Sequence, residues 1–204
     1  MSTQGGPIDF YFEFSSPYGY IAAQVAEDFE NRVGRPMKWR PILLGPIFKV
    51  TGQAPLTEIP LKGAYAKRDF MRTARMHNVP YKQPSKFPIG TVAAARAFYW
   101  LDDQDPKKAR ELAKALYTAY FVNDVDIGPA ATVVEIAKSV GVDGAKLATA
   151  LEDPAVKERV KKEVDAAIAA EVFGSPFFIA DGEPFWGVDR LPMLEAWASF
   201  VRKS

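Results

Sequence analysis

Residues 8–42 constrain the fold more than any other part of the chain, because a strand, a helix and a second strand follow one another there without a long loop. Residues 8–14 (IDFYFEF) alternate apolar and polar side chains, which is the period of a β-strand. Ser16 and Pro17 then read as the N-cap and the first residue of a helix. The strand after this helix spans residues 37–42. This order predicts a βαβ unit with parallel strands.

Helical patterns fill the middle of the chain, from about residue 45 to about residue 172. Helices are expected near residues 61–77, 88–100, 105–120, 128–140 and 153–172. The last of these has an apolar residue at every fourth position, and we expect one continuous buried stripe made of Val156, Val160, Val164, Ile168 and Val172. Strands return only at residues 176–187, as a hairpin, before a final helix that begins near Arg190 with Asp189 as its cap.

The order of these elements predicts an α/β fold, a thioredoxin-like βαβ...ββα arrangement split by a large all-helical insertion. Residues 1–44 and 173–204 would form the thioredoxin-like domain, and residues 45–172 the helical insertion domain. Residues 16–19 (SPYG) occupy the strand-to-helix corner where redox relatives of this fold carry two cysteines. Residues 174–176 (GSP) precede the hairpin, where the fold places a cis-proline loop facing that corner.

The residue types present exclude several classes of function. The chain has no cysteine and one histidine, His77, so a redox disulfide, a cysteine nucleophile, a thiolate metal site and a two-histidine zinc site are excluded. Carboxylates alone remain able to hold a hard cation, but we predict no metal site. A formal charge of +1 predicts no nucleic-acid or membrane partner. The N-terminal MSTQGGP is not typical of a signal peptide, and we expect a cytoplasmic protein.

Four separated blocks of sequence resemble one known enzyme family. FYFEFSSPYGY, RPILLGPIFKVTGQAP, KGAYAKRDFMRTAR and FFIADGEPFWGVDRLPMLEAW occur in this order within residues 8–202. The chain thereby resembles the 2-hydroxychromene-2-carboxylate isomerases, a family with a DsbA-like thioredoxin fold that is related to kappa-class glutathione transferases. The resemblance implies glutathione as cofactor, a small aromatic carboxylate as substrate, and a homodimer. It also implies reversible isomerisation to trans-o-hydroxybenzylidenepyruvate in aromatic compound catabolism, by thiolate addition, bond rotation and elimination.

The resemblance assigns roles to individual residues. The family's catalytic serine falls on Ser16, and the backbone of Ser175, before Pro176, would pair with the glutathione peptide. The full set of glutathione-binding residues that it implies is Ser16, Pro17, Tyr18, Gln53, Ser175, Pro176, Val188 and Asp189. Three positions depart from the family pattern: Val188 replaces Ser or Thr, Gln53 replaces Asn, and Gly19 replaces the Ser of many relatives.

A serine at a helix start suits a thiol cofactor on energetic grounds. Lowering a thiol pKa from about 8.5 to about 7 requires roughly 2 kcal/mol. A hydroxyl that donates to a thiolate supplies about 1.5–3 kcal/mol, and the positive end of a helix about 0.3–1 kcal/mol. Ser16 at the start of its helix can therefore lower the pKa of a bound thiol to about 7 without a histidine or a lysine.

The sequence does not decide which residues contact the substrate or which reaction the protein catalyses. Candidate cations for a substrate carboxylate are Lys62, Lys67, Arg68 and Arg72, and candidate apolar wall residues are Phe48, Phe87 and Trp186. One alternative keeps the glutathione site but makes the protein a kappa-like transferase or peroxidase acting on electrophiles. The departures at Val188 and Gln53 leave a second alternative, a non-enzymatic cysteine-less thioredoxin-like binding domain. A serine hydrolase is discounted because no G-x-S-x-G motif is present.

Overall fold

A four-stranded mixed sheet forms the centre of the fold. In the computed structural model, which describes residues 5–201, the strands are β1 (Ile8–Phe12), β2 (Met37–Pro41), β3 (Phe177–Ala180) and β4 (Glu183–Trp186). Their order across the sheet is β2-β1-β3-β4. β1 is parallel to β2 and antiparallel to β3, and β3 and β4 form an antiparallel hairpin. The predicted α/β thioredoxin-like fold is confirmed.

The predicted βαβ unit is present, with helix α1 (Pro17–Val33) between β1 and β2. Ser16 is the N-cap of α1, and Pro17 occupies the first helical position, where its missing N–H has no cost. The helix ends at Gly34, whose left-handed φ of 70° lets its N–H return to the Glu30 carbonyl. Local signals are therefore sufficient to place Ser16 at the corner between β1 and α1.

Helices occupy the chain between β2 and β3. They are α2 (Leu44–Thr51), α3 (Lys62–Met76), α4 (Val92–Asp102), α5 (Pro106–Phe121), α6 (Ala130–Ser139), α7 (Gly144–Ala150) and α8 (Pro154–Ala169), and α9 (Leu191–Val201) follows β4. The short α7, capped by Asp143, was not predicted as a separate helix. The division into two domains stays a prediction, and its ends at residues 1–4 and 202–204 lie outside the described residues. No helix in the described part of the chain has the length and apolar character needed to cross a membrane.

The prediction of one continuous buried stripe on α8 was wrong. Val160 and Val164 are buried, but Val156 and Ile168 are only half-buried, and Val172 lies beyond the end of the helix. Each four-residue step advances about 400° around a helix of 3.6 residues per turn, so a row at that spacing drifts about 40° per step. Such a row winds away from the core and cannot stay on one face.

Both faces of the sheet are covered. Phe10, Phe12 and Phe14 have no exposed surface and pack in the main core, where Phe10 stacks on Phe178 with ring centroids 5.1 Å apart. The opposite face, which the alternation in β1 predicts to be polar, is buried as well, and Tyr11 lies there in a second cluster with Ile42, Ile47, Ala167, Val172 and Phe177. Glu13, the next residue but one after Tyr11, is only 5% exposed.

Candidate functional site

The corner between β1 and α1 presents the Ser16 hydroxyl. This group accepts a hydrogen bond from the Gly19 N–H at 3.1 Å, which caps the helix, and donates one to the Ser175 carbonyl at 3.0 Å. The residue is 8% exposed. The cap fixes the oxygen at the positive end of the α1 dipole, while its proton points across to the facing loop.

The facing loop is residues 174–176, and its Ser175–Pro176 peptide bond is cis. The Ser175 hydroxyl accepts from the Glu13 N–H at 2.9 Å, and the Pro176 carbonyl accepts from the Gly187 N–H at 3.0 Å. The backbone N–H of Ser175 has no acceptor among residues 5–201. Together with the Ser16 hydroxyl, this N–H gives the corner two donors, a set that suits a ligand with a peptide carbonyl and a sulfur anion. The residues present therefore fit glutathione.

Gly19 is required by its surroundings. A Cβ atom at this position would lie 2.7 Å from the Ser175 hydroxyl oxygen, closer than real Cβ atoms approach, and 3.0 Å from the Tyr117 hydroxyl oxygen, which is also a tight contact. The Ser175 hydroxyl is engaged with the Glu13 N–H and cannot move aside without losing that bond. The departure from the family pattern at Gly19 thus has a steric cause in this chain.

Val188 and Asp189 lie in a 3₁₀ turn, Val188–Arg190, between β4 and α9. Val188 is buried, whereas the Asp189 side chain is 68% exposed and bonds to the Arg190 guanidinium at 2.8 Å. The expectation that Asp189 caps the last helix was wrong, because α9 begins at Leu191 and Asp189 sits inside the preceding turn. Burial is the main cause that raises the pKa of Tyr18, and the charge of Asp189 adds a small contribution in the same direction.

Gln53 is a predicted site residue without a hydrogen bond to the corner in the part of the chain that the structure describes. It is exposed in the loop after α2, and in the described part of the chain it has no hydrogen bond with Ser16 or Ser175. A role for Gln53 toward glutathione stays a prediction.

Tyr18 connects the corner to α3. Its hydroxyl donates to Asp69 at 2.5 Å, and its ring meets the Phe70 ring edge-to-face at 5.0 Å. Burial and the neighbouring Asp69 carboxylate raise the pKa of Tyr18, so its hydroxyl stays protonated at neutral pH. Asp69 also accepts from Arg72 at 2.8 Å, and the Arg72 guanidinium lies 5.1 Å from the centre of the Tyr65 ring.

The predicted substrate residues are distributed unevenly around this connection. All four candidate cations are exposed on α3, and Arg72 differs from Lys62, Lys67 and Arg68 in its bond to Asp69, which in turn accepts from Tyr18. Among the predicted wall residues, the ring centroid of Phe87 lies 6.3 Å from that of Phe70. The ring of Trp186 packs edge-to-face on Phe173, with centroids 4.9 Å apart, and Phe48 is half-buried on α2.

Glu13 lies directly below the corner and was missed by the sequence analysis. One carboxyl oxygen accepts from the Ser15 N–H at 2.8 Å and the other from the Thr91 hydroxyl, while the Glu13 carbonyl accepts from the Tyr117 hydroxyl at 3.0 Å. No basic side chain of residues 5–201 forms an ion pair with it. Burial raises the pKa of Glu13 from 4.5 to about 7. No local signal in the sequence marks it, because its partners Thr91 and Tyr117 lie 78 and 104 residues further along the chain.

These observations define a class of protein: a thioredoxin-fold chain in which a cysteine-free corner faces a cis-proline loop and helices are inserted between the two halves of the fold. The chain belongs to the DSBA-like thioredoxin domain family, which it matches over residues 7–197.

Among its relatives, the chain is similar to a 2-hydroxychromene-2-carboxylate isomerase of Sphingobium xenophagum, with 29% identity over 194 residues that cover 93% of this chain and 96% of that protein. It is also similar to glutathione S-transferase kappa 1 of Rattus norvegicus, with 25% identity over 199 residues that cover 92% of this chain and 88% of that protein. A solved structure of a 2-hydroxychromene-2-carboxylate isomerase superposes with a TM-score of 0.85 at 24% identity, covering 95% of each chain. The resemblance predicted from the four sequence blocks is confirmed.

Proposed function

We propose that the protein is a glutathione-dependent isomerase that interconverts 2-hydroxychromene-2-carboxylate and trans-o-hydroxybenzylidenepyruvate. The observation that carries the proposal is the Ser16 hydroxyl, fixed by the Gly19 N–H and aimed at a cis-proline loop whose Ser175 N–H has no acceptor among residues 5–201. The relatives support it, because they are named as isomerases and glutathione transferases. A cytoplasmic homodimer that acts in aromatic compound catabolism is part of the same proposal.

When bound, glutathione would supply a sulfur anion that adds reversibly to a conjugated carbon, so that the former double bond can rotate before elimination. The Ser16 hydroxyl turns its proton from the Ser175 carbonyl toward that sulfur, while the Gly19 N–H continues to hold its oxygen. The Ser175 carbonyl, released from Ser16, and the free Ser175 N–H then offer an acceptor and a donor to the glutathione peptide. Ser16 and the helix end together can supply the roughly 2 kcal/mol needed to ionise a thiol at neutral pH.

A substrate that combines an aromatic ring with a carboxylate needs an apolar wall and a cation. The rings of Tyr18, Phe70 and Phe87 form a connected aromatic group beside the corner. Arg72 is our candidate cation, since Asp69 fixes it near Tyr18. Asp69 also lowers the net charge there, so the site favours a weakly bound carboxylate that can leave as product.

The kappa-like transferase is the second candidate, and the 25% identity to glutathione S-transferase kappa 1 over 92% of the chain supports it. The residues that would handle sulfur are the same in both candidates. Turnover therefore decides between them: purified protein with glutathione is given either the hydroxychromene carboxylate or an aryl halide electrophile. Conjugation of the aryl halide without isomerase turnover would overturn the isomerase proposal in favour of the transferase.

Binding of the cofactor is tested by calorimetry with glutathione and with S-methylglutathione, whose sulfur cannot ionise. Ser16→Ala should leave the fold and glutathione binding largely intact but raise the pKa of the bound thiol from about 7 to about 8, lowering the thiolate fraction and hence turnover at pH 7 roughly fivefold. Ser139→Ala, which removes an exposed hydroxyl on α6, is the matched control and should change neither quantity. Absence of glutathione binding by the wild-type protein would refute the cofactor site and favour a non-enzymatic binding domain.

A further inference from the structure

The buried carboxyl group of Glu13 has no part in the function proposed above, although its contacts converge on the corner. The carboxyl oxygens accept from the Ser15 N–H and from the hydroxyl of Thr91 at the start of α4, while the main-chain carbonyl of Glu13 accepts from the Tyr117 hydroxyl of α5. Each of the two carboxyl oxygens has one donor, and the residue is 5% exposed. Removing the carboxyl group would leave the Ser15 N–H and the Thr91 hydroxyl without their acceptors in a buried place.

We propose that Glu13 is a positioning residue for the corner: its carboxyl group fixes the Phe14–Ser15 peptide, directly before Ser16, so that the Ser16 hydroxyl faces the cis-proline loop, and it thereby tunes the ionisation of a thiol bound there. Two further hydrogen bonds, made by the Glu13 backbone, also hold Ser16 and the cis-proline loop in place. Its carbonyl accepts from the Ser16 N–H at 2.9 Å, and its N–H donates to the Ser175 hydroxyl at 2.9 Å. Glu13 thus connects both sides of the site without being assigned a contact with the ligand. The second half of this inference rests on the proposed use of glutathione.

The charged and titratable surroundings of Glu13 are simple. Two titratable groups of α5, Tyr117 and Tyr120, interact electrostatically with Glu13. Burial together with the negative charge of Glu13 raises the pKa of both hydroxyls. The remaining partners, Ser15, Ser16, Thr91 and Ser175, are neutral. A change in the pKa of the bound thiol after substitution at Glu13 or Thr91 therefore reports on the geometry of the corner and on one carboxyl charge.

The test measures the pKa of glutathione bound to the protein from its ultraviolet thiolate absorbance during a pH titration. Glu13→Ala should raise this pKa by about one unit and lower kcat roughly fivefold at pH 7, with the dissociation constant of glutathione changed less than about threefold. Glu13→Gln keeps an oxygen for the Ser15 N–H and should restore most of the wild-type value. Glu111→Gln, on the exposed face of α5, is the matched control for loss of a carboxylate.

Thr91 supplies a second route to the same answer if Glu13→Ala fails to fold. Thr91→Val preserves the shape of the side chain but removes the donor to Glu13, and should raise the thiol pKa by about half a unit, whereas Thr91→Ser should not. Thr118→Val, which removes an exposed hydroxyl bonded to Lys114, is the control. Hydrogen exchange at the Ser15 and Ser16 amides should accelerate in Glu13→Ala and in Thr91→Val.

The possible outcomes separate this inference from the proposed function. If the wild-type protein binds glutathione and lowers its thiol pKa, but both Glu13→Ala and Thr91→Val give the wild-type pKa and exchange rates, the positioning role is refuted and the function stands. If the wild-type protein does not bind glutathione, the proposed function fails and the effect on a thiol fails with it. A raised thiol pKa in Glu13→Ala with rescue in Glu13→Gln supports the role.

Discussion

Replacing Glu13 by glutamine should change how stability depends on pH. Burial without a cationic partner raises the pKa of Glu13 from 4.5 to about 7, so the folded protein binds this proton more tightly than the unfolded chain does. The stabilisation from the proton is complete below pH 4.5 and is lost as the pH rises through 7. The difference between 4.5 and about 7 corresponds to about 3 kcal/mol, most of which falls between pH 5 and pH 8. Glu13→Gln cannot ionise and lacks this loss.

The assay is equilibrium unfolding by urea at pH 5, 6, 7 and 8 for the wild-type protein, Glu13→Gln and the exposed control Glu111→Gln. The free energy of unfolding of Glu13→Gln, relative to wild type, should rise by roughly 2–3 kcal/mol from pH 5 to pH 8. All other ionisable groups are common to both proteins and cancel in this difference. A difference that stays constant with pH would show that Glu13 titrates near its ordinary pKa, and the argument from burial would be refuted.

Two further substitutions test the packing around the site. Gly19→Ala should destabilise the fold by about 1–2 kcal/mol, because the new Cβ would lie 2.7 Å from the Ser175 hydroxyl oxygen. In a double-mutant cycle measured by urea unfolding, Ser175→Ala should recover much of this loss. Purely additive effects of the two substitutions would contradict the steric explanation. Asp181→Ala should lower the free energy of unfolding by about 3–5 kcal/mol, because it leaves the guanidinium of Arg35 without its paired carboxylate. The Arg35 side chain is only 1% exposed, so water cannot replace that partner. A thermal transition within a degree or two of wild type would contradict this expectation.

The elements that could be predicted from the sequence are those with complete local signals. The alternation of β1, the Ser16-Pro17 helix start and the Gly34 end lie within a single stretch of chain, and all three are present in the structure. The cis-proline loop and its position opposite the corner were predicted from the order of elements and the resemblance to known enzymes. The stripe on α8 was mispredicted because equal spacing along the sequence was taken for one face of a helix.

The burial of Glu13 could not be predicted, because the groups that cover it come from distant parts of the chain. Thr91 is 78 residues away from Glu13 in sequence and Tyr117 is 104 residues away. The close approach of Gly19 to Ser175 and Tyr117 is likewise produced only when the inserted helices and the closing strands pack against the corner. Period and capping signals describe one element at a time and carry no information on what covers it.

The inserted helices are therefore part of the candidate site and not an addition beside it. α3 contacts the corner through the bond from Tyr18 to Asp69, the start of α4 through the bond from Thr91 to Glu13, and α5 through the bond from Tyr117 to the Glu13 carbonyl. A corner without cysteines cannot form a redox disulfide, so under the proposed function the orientation of the Ser16 hydroxyl determines how the corner meets a bound thiol. Because that orientation depends on side chains of the insertion, substitutions in α3, α4 or α5 at these contacts should reach Ser16 without touching it.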